Sequence, residues 1–95
     1  MNKGVTAKNI DKFTRVGIAI SAWRKERGMS QDELAEKARI SRSTLSNIES
    51  PSKECNFSVD TFYNIADVLD VDTATLIKGI FNPEESKKIS SETAK

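Results

Sequence analysis

The chain has 95 residues, with 15 Lys and Arg against 14 Asp and Glu for a formal net charge of +1, no histidine and one cysteine. That length supports one small core with little margin for a buried cofactor. No run approaches the ~20 apolar residues of a membrane span, MNKGVTAKNIDK lacks the apolar stretch of a secretory signal, and Cys55 has no internal disulfide partner, so the expectation is a single domain in a reducing cytoplasm, with Cys55 an incidental loop residue rather than a redox sensor.

Residues 1–10 are polar without sustained periodicity and read as a flexible N-terminal arm ahead of a domain spanning residues 11–82. The first helix is expected from about Asp11 to Arg27, with Phe13, Val16, Ile20 and Trp23 spaced toward a core and Gly28 ending it in a left-handed conformation. Trp23 at that spacing reads as a core residue, not a platform for stacking bases.

Ser30 followed three residues later by Glu33 is a capping box, so a short second helix starts near Gln31, with Leu34, Ala35 and Ala38 on one face. Small Ala35 allows a close helix crossing. Ser41 caps a third helix whose apolar residues are Leu45 and Ile48, leaving Arg42, Ser43, Ser46 and Asn47 on the other faces with nothing evident to bind inside the protein.

A polar loop, SPSKECNF, follows, held near its start by Pro51. Ser58 then caps a fourth helix with a stripe of Val59, Phe62, Ile65, Ala66 and Leu69. Asp72 or Thr73 starts a fifth helix carrying Leu76, Ile77, Ile80 and Phe81, more apolar groups than a short terminal helix buries alone, so some are expected to meet a partner subunit. Pro83 is expected to stop regular structure, with residues 83–95 a disordered, charged tail. The fold class is therefore all-α.

Residues 30–49, SQDELAEKARISRSTLSNIE, together with IAISAWRKERGMSQDELA upstream and FSVDTFYNIADVLDVDTATLI downstream, resemble the phage-repressor-like, Cro/C1-type (xenobiotic-response-element) family of helix-turn-helix regulators. The resemblance covers roughly residues 13–81, five consecutive segments in family order. It implies a five-helix, lambda-repressor-like domain with the helix-turn-helix in helices two and three, and a homodimer on a pseudo-palindromic double-stranded DNA operator, its third helix in the major groove.

The resemblance places Arg42, Ser43, Ser46 and Asn47 against base edges or adjacent phosphates. The Arg42 fork suits guanine and the Asn47 amide suits adenine, although either can instead hold a phosphate. Phosphate candidates are Gln31, at a helix N-terminus, and Thr44, Lys53 and Asn56; Thr44 can equally bond its own helical turn. Arg24 and Glu49 match a scaffold pair of the family that ties the reading helix to the first helix.

This chain departs from the family pattern at two places. Arg39 stands where the family usually has a turn glycine, so it must turn left-handed or use another turn, and the loop from Ser50-Pro51 is about two residues longer than usual.

Charge distribution agrees with a DNA partner. Residues 1–50 hold ten Lys/Arg and six Asp/Glu, a balance of +4, while residues 51–95 hold five and eight, a balance of −3; a basic half of this kind attracts phosphates while the acidic half sets orientation, although ordinary surface charge can be divided as unevenly.

With no histidine, no Walker loop and no GxSxG segment, catalysis, a metal site and a cofactor are not expected. Two other functions fit the same residues: an antitoxin-like interaction module that neutralises a partner protein with its acidic half, or a scaffold that keeps the fold without binding DNA.

Overall fold

A computed structural model describes residues 7–50 and 57–83, with side chains from residue 9 onward. They form five helices: α1 (Ala7–Glu26), α2 (Gln31–Ala38), α3 (Arg42–Glu49), α4 (Val59–Leu69) and α5 (Thr73–Ile77). No strand occurs among the described residues. The first helix begins at Ala7, four residues ahead of the expected Asp11, so residues 7–10 are helical rather than part of an arm. Ala7 and Lys8 are good helix formers, and Ile10 is half-buried, which extends the amphipathic stripe backward by one turn.

Local chemistry sets the helix starts. The hydroxyls of Ser30, Ser41 and Ser58 accept from the backbone N–H groups of Glu33, Thr44 and Thr61 at 3.0–3.1 Å, and the Asp72 carboxylate caps α5 through Thr75 N–H at 3.4 Å. Each satisfies a donor with no partner inside its helix.

The helix ends share a second device. After α1, α2, α4 and α5 the chain turns left-handed at Gly28 (φ 73°), Arg39 (φ 64°), Asp70 (φ 57°) and Gly79 (φ 72°). In each case the next residue's N–H reaches back to a carbonyl five positions earlier, as from Ile40 to Ala35 at 3.0 Å and from Val71 to Ala66 at 3.1 Å. Arg39 thus takes the left-handed route where glycine is usual.

One core unites the helices: Val16, Ala19, Ile20 and Trp23 from α1, Leu34, Ala35 and Ala38 from α2, Leu45 and Ile48 from α3, Phe62, Ile65, Ala66 and Leu69 from α4, and Leu76 from α5. Trp23 is a core residue, its indole N–H donating to the Ile80 carbonyl at 3.0 Å while Phe81 packs edge-on at 4.9 Å between ring centroids. Phe13 sits at the margin, edge-on to Phe57 at 5.3 Å. Arg27, at 5.0 Å over the Trp23 ring, donates to the carbonyls of Leu69 and Asp70 and so caps the C-terminus of α4.

Three expectations are corrected. Val59 is 65% exposed, because the first residue of α4 projects past the end of the packed stripe. The fifth helix stops at Ile77, since Gly79 turns left-handed, so Ile80 and Phe81 lie beyond it. Pro83, the last described residue, is itself helical and not a stop; its fixed φ suits a first helical position. Residues 1–6 of the arm, the 51–56 loop and residues 84–95 of the tail lie outside the described residues.

Candidate nucleic-acid interface

Amphipathicity orients α3. Leu45 and Ile48 point into the core, while Arg42, Ser43, Thr44, Ser46 and Asn47 are all exposed. Five exposed polar positions, 42–44 and 46–47 on either side of buried Leu45, give an eight-residue helix a hydrated face of donors and acceptors.

A buried network fixes α3 at its other end. Arg24 on α1 meets Glu49 on α3 in a two-pronged pair, Nε to Oε2 at 2.8 Å and Nη2 to Oε1 at 3.1 Å, while its Nη1 donates to the Met29 carbonyl at 2.8 Å. Both side chains are nearly buried, at 10% and 4% exposure, so the pairing withdraws the Glu49 carboxylate from the exposed face of α3. The expected scaffold pair is therefore present, and it holds α3 to α1 and to the turn before α2.

Gln31 behaves differently from its expected role. Its side-chain amide donates to Glu49 Oε1 at 3.0 Å, joining α2 to the same network. Because that carboxylate oxygen lies within reach of the first residue of α2, the Gln31 amide is engaged inside the protein, and only the helix N-terminus is left to meet a phosphate. The Thr44 hydroxyl accepts from Ser41 Oγ at 2.8 Å, closing a reciprocal cap at the start of α3. Lys53 and Asn56 lie outside the described residues.

Two further features position α3, neither evident from the sequence. Gly17 is buried in the middle of α1, where a methyl group would overlap the backbone carbonyl of Ile48, so α3 rests directly on the α1 backbone at this point. Arg42 Nε lies 3.4 Å from Asp32 Oδ1, an ion pair spanning the first turns of α3 and α2 with both side chains exposed. Two short helices joined by a tight turn, the second displaying a polar face and locked at its far end, form the helix-turn-helix arrangement.

A helix-turn-helix domain model matches residues 17–80. The chain is 38% identical over 80 residues to the HTH-type transcriptional regulator SinR of Bacillus subtilis, spanning 84% of this chain and 71% of that regulator. It belongs to the Cro/C1-type helix-turn-helix family. Among solved structures, the master regulator for biofilm formation SinR in complex with DNA superposes with a TM-score of 0.60 at 42% identity, covering 65% of this chain and 97% of that one. The SinR protein/SinI protein complex superposes with a TM-score of 0.65 at 34% identity, covering 83% and 80%.

Family membership accounts for the helix order, but the edge expected to meet a partner needs correction. Leu76 is fully buried within its own chain and is unavailable to a second subunit. Ile77, Ile80 and Phe81 remain exposed at 54%, 43% and 42%, although Phe81 is partly used against Trp23. Among the described residues no group of His, Cys, Asp or Glu is placed to hold a metal ion, and no helix is long and apolar enough to cross a membrane.

Proposed function

We propose that this chain is a sequence-specific, DNA-binding transcriptional regulator that reads the major groove with α3 and acts as a homodimer on a pseudo-palindromic site. The observation that carries this reading is the α3 surface: Arg42, Ser43, Ser46 and Asn47 are exposed together on a helix whose apolar side is spent in the core. A helix of this size fits the major groove, where base edges present distinct donor and acceptor patterns. Likeness to SinR, a regulator whose DNA complex has been solved, supports the same partner.

Arg42 offers a guanidinium fork to guanine and Asn47 an amide to adenine, with Ser43 and Ser46 on the same surface. The N-terminus of α2 at Gln31, Thr44 and, in the following loop, Lys53 and Asn56 would position the domain on phosphates. Dimerisation through the apolar edge of Ile77, Ile80 and Phe81 would place two reading helices about 34 Å apart. The same edge also suits a protein partner, a reading favoured by the existence of a SinR protein/SinI protein complex.

A binding titration against a selected duplex and its scrambled counterpart at several salt concentrations tests base reading. Arg42→Ala and Asn47→Ala are each expected to cost about 1–3 kcal/mol on the selected site and much less on scrambled DNA. Lys53→Ala should weaken both and flatten the salt dependence. Equal losses on both duplexes for the α3 variants would remove these residues from the reading surface.

A further inference from the structure

We infer that Asp32 is a specificity-determining positioning residue, aiming the Arg42 guanidinium at a base edge. The inference rests on the reading of α3 as the base-contacting helix. Asp32 is the second residue of α2, and its Oδ1 lies 3.4 Å from Arg42 Nε, across the turn that joins the two helices. The guanidinium nitrogen that approaches Asp32 is Nε, the one next to the aliphatic stem, whereas recognition of guanine O6 and N7 uses two parallel donors. An ion pair on the Nε side leaves the terminal amino groups to form that fork and biases the orientation of a long side chain that otherwise loses rotamer freedom on binding.

Electrostatics separates this role from ordinary surface pairing. Asp32 is 78% exposed and Arg42 65% exposed, so in water the pair adds little to stability. A carboxylate on the surface that meets phosphates repels them, so an unpaired Asp32 would weaken binding to every duplex alike. Paired with Arg42, it cancels charge that would otherwise attract any phosphate and leaves the directional donors for a base. The pair therefore exchanges nonspecific attraction for discrimination, and it strengthens as DNA excludes water from around it. Neither of the two neighbouring acidic side chains of α2 is paired with Arg42 among the described contacts: Glu33 lies 3.4 Å from Lys37 on its own helix, and Asp32 is the carboxylate that meets Arg42.

The experiment measures the ratio of affinities for a duplex selected from a random library by the unmodified protein and for its scrambled counterpart. Asp32→Ala should lower this ratio by about five-fold, chiefly by strengthening scrambled binding and loosening the selected contact. Asp32→Glu, which retains the carboxylate, should restore most of the ratio. In an Arg42→Ala background, Asp32→Ala should leave the ratio unchanged. A loss of folded protein lowers both titrations together and does not move the ratio, so a merely structural role for Asp32 reads as no change. If Arg42→Ala lowers discrimination while Asp32→Ala leaves it intact, or shifts both duplexes equally by removing a repulsive charge, the positioning role is wrong and the reading of α3 stands. If Arg42→Ala itself leaves discrimination intact, the α3 reading fails at this residue and the role of Asp32 fails with it.

Discussion

Arg24 and Glu49 illustrate how a single buried pair fixes the helix whose exposed polar face is proposed to read DNA. Their two hydrogen bonds at 2.8 and 3.1 Å, supplemented by Gln31 on the same carboxylate, satisfy groups that would be costly to bury alone. Changing Arg24 or Glu49 singly to an apolar residue of similar size is expected to cost about 3–5 kcal/mol, because the remaining charge loses its partner. Changing both should cost less than the sum. A double-mutant cycle by denaturant unfolding checks this, and additive losses would show that the two groups do not stabilise each other. This pair was legible in the sequence only through the family resemblance, since 25 residues separate its members and no local spacing links them. The serine caps were legible from chemistry alone, because each bonds a backbone group three residues away. The Arg42 contact with Asp32 was not, since it depends on the crossing of two helices, which propensity does not encode.

At the scale of helices, the decisive contact is backbone against backbone. Gly17 lies in the interior of α1, where glycine weakens a helix by about 1 kcal/mol relative to alanine, so its presence there calls for a packing reason. The Ile48 carbonyl supplies one, since it occupies the space a methyl would need. Gly17→Ala is therefore expected to destabilise the domain despite better helix propensity, because overpacking against a rigid backbone costs about 1–3 kcal/mol and the carbonyl has no rotamer to escape into. The displaced α3 should also bind its selected duplex more weakly than the loss of folded protein explains. Unfolding curves combined with titrations corrected for folded fraction measure both effects, and a stabilised Gly17→Ala variant would show that the two helices can separate without penalty. Sequence periodicity could place Gly17 beside the core-facing Val16 and Ile20, but could not tell which helix crosses there. The short α5 shows the complementary limit. Five residues define too little of a face to separate Leu76, which is buried, from Ile77, which is exposed.

For the whole molecule, the distribution of apolar surface bears on assembly. Ile77, Ile80 and Phe81 are exposed within five residues of one another at the end of a domain whose other helices bury most of their large aliphatic side chains. Trp23 holds this segment in place by donating to the Ile80 carbonyl, so the edge is anchored rather than free to fold inward. If a second copy covers it, the two-fold arrangement sets the spacing of the reading helices, and binding to two half-sites gains from their linkage. Ile77→Asp is the informative change, because Ile77 is the most exposed of the three and takes no part in the Trp23 contacts. It should leave thermal unfolding of the isolated domain within about 0.5 kcal/mol, as for an ordinary surface substitution, while shifting self-association in sedimentation toward the monomer. On DNA, a paired site should lose its advantage over a single half-site, whereas half-site affinity stays unchanged. A protein that remains monomeric with and without DNA, and that prefers a single unsymmetrical site, would rule out this dimer and leave the apolar edge to a different protein partner.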